Sequence, residues 1–157
     1  MEWKEYQHEF IAECDLRQII ISNVTPQDWQ KIFNFLKKTE VTLTFFIDGV
    51  KSALPSQIEQ VFQEDNHHYL LSLVFDGVTL NCHFDRHEDI VLSFDPGQIT
   101  NEAKAILLFR VMSTFGRRLR KVVVLTAVNR EAQPIFQYEQ GQGLTYLKLN
   151  KKLAPYE

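Results

Sequence analysis

The chain has 157 residues, 45% of them hydrophobic, with twelve Phe and a formal net charge of −3 at pH 7. That length fits a single domain over 1–157, and its apolar content supplies one core without a metal or disulfide to hold it. The acidic balance argues against a dedicated nucleic-acid binder, and no stretch reaches the run of about 18 apolar residues that a membrane span needs.

The N-terminus, MEWKEYQHEF, is charged throughout and lacks the apolar run of a signal peptide. Two cysteines, Cys14 and Cys82, read as reduced thiols, so a cytoplasmic location is expected.

Trp3, Tyr6 and Phe10 recur at helical spacing and predict a short amphipathic helix to about residue 13. Its aromatic stripe is expected to pack in the core, with a partner-binding face as the other use. RQIIIS, 17–22, predicts a strand. The next helix has Thr25 as N-cap, Pro26 at its first position and Asp28 at its third, and it ends in Lys37 and Lys38. Trp29, Ile32, Phe33 and Leu36 form its apolar face. VTLTFFI, 41–47, predicts a strand, and the strand–helix–strand spacing resembles a crossover unit.

Residues 50–63 fit either element: Ser56 and Glu59 have capping-box spacing, and Ile58, Val61 and Phe62 of 56–63 fit a helix face, although a strand fits the same segment. Asp76-Gly77 is a two-residue hairpin signal. A turn there pairs Phe75 with Val78, Leu73 with Leu80, Leu71 with Cys82 and Tyr69 with Phe84, which gives a wholly apolar face. An odd-numbered loop around Arg86–Glu88 pairs Phe84 with Ile90, Cys82 with Leu92 and Leu80 with Phe94, extending that face to a third strand.

A long helix is predicted over 100–119, capped at Thr100 and covered on its far side. VVVLTAV, 122–128, predicts a strand buried on both faces. A three-residue loop at 140–142 pairs Tyr138 with Leu144 and Phe136 with Tyr146. The tail KKLAPYE is expected to be loosely held. The fold class is therefore α+β, a mainly antiparallel sheet with helices packed on it, in the order α β α β (α) β β β α β β β.

Three clusters carry possible chemistry. The stretch FDGVTLNCHFDRHED holds Cys82, His83 and His87, with His67 and His68 upstream. Successive strand residues point to opposite faces, so Cys82 and His83 do not readily share a metal ion. His68, His83, Asp85 and His87 gather near one sheet end, a donor set suited to zinc or iron. Without a metal, they are scattered histidines on a polar face.

The second cluster is Arg117, Arg118, Arg120 and Lys121. It suits an acidic partner or phosphate, or it simply compensates a helix C-terminus. The third is acidic: Asp85, Glu88, Asp89 and Asp95, with Glu64 and Asp65 nearby, on what read as solvated hairpin loops. No phosphate-binding loop, serine elbow, CxxC or HExxH is present in the sequence.

The expected function is a small, non-catalytic protein-binding module of the immunity- or antitoxin-type inhibitor, chaperone or adaptor kind, with no cofactor. Its partner is another protein, engaged through Arg117, Arg118, Arg120 and Lys121 or through Asn81, His83 and Asp85. The alternatives are a metal-binding protein or metal-dependent enzyme using His68, His83, His87 and Asp85, and a phosphate or nucleic-acid binder using 117–121.

Overall fold

A computed structural model describes residues 1–63 and 66–153. They form one ten-stranded, antiparallel-paired sheet with a few helices, in the order β10-β9-β8-β7-β1-β6-β5-β4-β2-β3. The strands are β1 Arg17–Ser22, β2 Thr42–Ile47, β3 Val50–Ser52, β4 Tyr69–Phe75, β5 Val78–His83, β6 Asp89–Phe94, β7 Val123–Ala127, β8 Phe136–Glu139, β9 Gly143–Tyr146 and β10 Lys151–Lys152. The helices are α1 Pro26–Lys37, the single turn α2 Glu59–Phe62, and α3 Glu102–Leu119.

The hairpin registers follow from the alternation of side chains. Leu73 faces Leu80, Leu71 faces Cys82 and Phe75 faces Val78. Cys82 then faces Leu92, and Phe136 faces Tyr146. A one-residue slip in any of these pairs would turn the apolar set to solvent. The turn Asp76-Gly77 has positive φ at both residues, 47° and 78°, the twist that a tight hairpin requires.

The registers join into rows across the sheet. Phe45, Leu71, Cys82, Leu92, Ile19, Leu125, Phe136 and Tyr146 stand side by side on eight strands and form the floor of the core. The helices pack on this face. Trp29, Ile32, Phe33 and Leu36 of α1 meet Leu71, Leu73, Cys82 and Leu92. In α3, a Cβ at Gly116 would stand 2.3 Å from the Tyr138 ring, so only glycine allows the helix this close to β8.

The second face carries two further rows. One holds Phe46, Leu70, His83, Val91, Ile20 and Val124. The other holds the uncharged polar residues Thr44, Ser72, Asn81, Ser93, Gln18 and Thr126.

Several expectations are corrected. Two 3-10 turns, Trp3–Glu5 and Gln7–Glu9, replace the single helix; Trp3 opens the first, Tyr6 stands between them and Phe10 ends the second. Tyr6 and Phe10 nonetheless reach the core and pack edge-to-face and stacked on Phe136. β1 and β2 run in the same direction but are separated by β6, β5 and β4, so they do not pair. The N-cap of α3 is Asn101, whose Oδ1 accepts from Lys104 N at 3.0 Å, and not Thr100.

β7 is buried on both faces only in part: on the second face Thr126 is fully buried while Val124 is half-exposed. Lys151 and Lys152 pair with β9, and Leu153 is buried, so the tail up to 153 is held. The remainder of the tail, 154–157, lies outside the described residues, as do Glu64 and Asp65. The segment 50–63 holds both of its alternatives, the short strand β3 at its start and the single turn α2 near its end.

Candidate functional site

The strand parity places His83 and Asn81 on the second face, opposite Cys82. His83 Nε2 lies 2.8 Å from Ser93 Oγ, and the His68 and His83 ring centroids are 6.5 Å apart. His68 Nδ1 is 3.9 Å from an Asp85 carboxylate oxygen. Asn81, His83, Asp85 and His68 therefore share a neighbourhood. Burial holds the His83 imidazole below its usual pKa; Asp85 opposes this and His68 adds to it.

His87 does not join them. Its ring lies 4.2 Å from that of Phe62, on the helix side, and its carbonyl accepts a hydrogen bond from Trp29 Nε1 at 2.7 Å. His67 is held by Asp48, with Nδ1 to Oδ2 at 2.6 Å, while the His68 amide donates to the other oxygen of Asp48 at 2.8 Å. The Asp48 carboxyl is held below its usual value, first by that amide and then by the His67 ring. Among the described residues, no group of three or more His, Cys, Asp or Glu has the arrangement of a metal site. Burial pushes the Cys82 thiol up to about 12, which removes it as a thiolate ligand or nucleophile near neutral pH.

The basic cluster sits on the helix side, at the end of α3. Arg120 ends the helix in the left-handed region at φ 54°, and Lys121 N bonds back to the Gly116 carbonyl at 3.1 Å. Arg117 and Arg118 are exposed. The Arg118 guanidinium lies 3.8 Å from the centre of the Phe35 ring in α1, so this cation also ties the two helices together.

Beside that stack is a feature the sequence did not reveal. Phe35, Val41, Phe75, Leu107 and Val111, all half-exposed, converge on an open groove of about 200 Å³. It runs between the end of α1, the adjoining ends of β2 and β4, and the outer face of α3. Arg110 lines it, and Arg118 stands at its edge on Phe35. No carboxylate is part of the lining. The far side of α3 was expected to be covered; here it is open. The missed signals were Phe35, an aromatic beside Leu36 but off the predicted face of α1, and Arg110, set in the apolar centre of α3.

A second unforeseen feature is a cleft of about 530 Å³ beside the N-terminal turns, lined in part by Glu9, Arg17, Arg130 and Lys148. Glu9 is buried. Its carboxylate accepts a hydrogen bond from the Tyr146 hydroxyl at 2.6 Å and lies 2.9 Å from Lys148 Nζ. Arg17 Nε donates to the Glu9 carbonyl at 3.2 Å. Burial raises the Tyr146 phenol pKa, and the bonded Glu9 carboxylate raises it further. These groups satisfy one another, so the cluster reads as a tie between the N-terminal turns and β9.

No helix among the described residues is long and apolar enough to cross a membrane. Comparison with known proteins finds no matching family model, curated protein or solved structure.

Proposed function

We propose that this chain is a non-catalytic protein-binding module whose docking surface is the groove between α1 and α3. One observation carries the reading: half-exposed apolar side chains from four segments converge beside two arginines, with no acidic side chain in the lining. Apolar surface of this kind gains about 25 cal/mol per Å² when a partner removes it from water. Exposed arginines at the edge steer an acidic partner and accelerate its association. The apolar floor favours a protein over phosphate or nucleic acid, which would use the cations and leave the floor wet. Inhibitors of the immunity or antitoxin type, chaperones and adaptors all work by such docking.

The test is co-purification with a tagged chain, comparing wild type with Val111→Asp and with an Asn81→Ala/His83→Ala double variant. The partner is expected to be lost only from Val111→Asp, with circular dichroism confirming that each variant is folded. Equal recovery with folded Val111→Asp would exclude the groove. Loss from the Asn81/His83 variant alone would move the docking surface to the second face of the sheet.

A further inference from the structure

This inference rests on the groove reading above and names its occupant. We infer that the groove takes an amphipathic helix of another protein, about three turns long, apolar on one side and acidic along its edge.

The helical form follows from what lines the groove. Leu107, Val111, Thr114 and Arg118 recur at steps of four, three and four, so they form one line along α3. That line extends about 16 Å, or about three turns, at 1.5 Å per residue. The opposite wall and floor are side chains as well: Phe35, Val41 and Phe75. The open edge of β2 at Thr42, Leu43 and Thr44 is not part of the lining, so an occupant seated on these side chains must satisfy its own backbone hydrogen bonds. A helix does so, whereas an added strand would not.

The acidic edge follows from charge. The whole chain carries a net charge of −3, yet the charged side chain in the groove's lining is Arg110, with Arg118 beside it on Phe35 and no carboxylate in the lining. Neither Arg110 nor Arg118 has a carboxylate partner among the described residues. They are eight residues apart, about 12 Å along α3 and about 80° around it, so long carboxylate side chains about two turns apart on the occupant would reach both. The Phe35 ring beneath Arg118 already orders that guanidinium, which lowers the entropy it must lose on pairing.

The probe is a side-chain-stapled, fluorescein-labelled helical peptide of about three turns, with leucines on one face and glutamates two turns apart on its edge. Two controls replace the glutamates with lysine or interrupt the helix with proline. Fluorescence anisotropy at low salt is expected to show binding of the acidic helix and at least tenfold weaker binding of either control. Arg110→Glu/Arg118→Glu, shown by circular dichroism to be folded because Arg118 also stacks on Phe35, is expected to reverse the preference towards the lysine peptide.

Equal binding of the glutamate and lysine peptides would overturn the acidic edge. Equal binding of the proline peptide would overturn the helix. No binding of the acidic helix to folded wild type at millimolar concentration would overturn the inference outright. In each of these cases the docking reading stands if partner recovery still depends on Val111. If recovery is indifferent to Val111→Asp, both fall.

Discussion

The histidine-bearing end of β5 and the groove beside α3 are opposites in how they are built. The first gathers titratable residues that are close in sequence, and the fold keeps only some of them together: His68, His83 and Asp85 remain neighbours while the others part. His83 faces outward on the second face with Ser93, His87 turns to Phe62 on the helix side, and His67 is bound to Asp48. The second gathers ordinary residues, Phe35, Val41, Phe75, Leu107 and Val111, from far apart in the chain, and the fold assembles them. Convergence in space, rather than reactive residue types close in sequence, is what makes a surface able to bind.

The largest expected effect tests the groove's foundation. Leu73 is 1% exposed, lies on the core side of β4 and reaches beneath the groove. Leu73→Ala should cost about 2–5 kcal/mol in urea unfolding and weaken any partner held there. A loss below 1 kcal/mol would mean that the floor is not the rigid base described, and the contrast between the regions would blur.

A smaller effect tests the histidine end. Trp29→Phe keeps the ring beside Phe84 but removes the hydrogen bond to the His87 carbonyl, so unfolding should be easier by about 0.5–1.5 kcal/mol. Groove binding should be unaffected. A matching loss of binding would show that the two regions are coupled.

The smallest effect is in pH. Because the folded state holds the His83 pKa below its ordinary 6.5, the unfolded chain binds the proton more readily. His83 therefore contributes no penalty well above pH 6.5, and its contribution to stability is lost progressively as pH falls through 6.5. In His83→Gln, the urea midpoint should fall less between pH 7 and pH 5 than in wild type. A steeper fall would show that Asp85 outweighs burial and stabilises the imidazolium, making this end an ion-pair centre after all.

Much of the fold was legible because its signals are local. Thr25, Pro26 and Asp28 form the start of α1 as their spacing implies: Thr25 Oγ1 accepts from Asp28 N at 3.1 Å, and the Thr25 amide donates back to Asp28 at 3.0 Å. Asp76-Gly77 determines a turn, and the two-residue period then determines every pair up to Cys82 and Leu92. The N-terminal aromatics were legible as core but not as 3-10 turns. Three positions at helical spacing do not distinguish one helix from two short turns whose rings reach the same place.

The candidate site divides along the same line. Backbone periodicity alone put Asn81 and His83 opposite Cys82, because a strand's alternation needs no partner. The order of the ten strands, the three strands between β1 and β2, and the groove required tertiary structure. They depend on which apolar faces meet, and an apolar residue such as Val111 or Phe75 carries no mark in the sequence to show whether its neighbour will be another side chain or water. The sequence determined most of the strands, the central hairpin turn and the faces these present; packing decided the N-terminal turns, the pairing of the tail and which faces were left open.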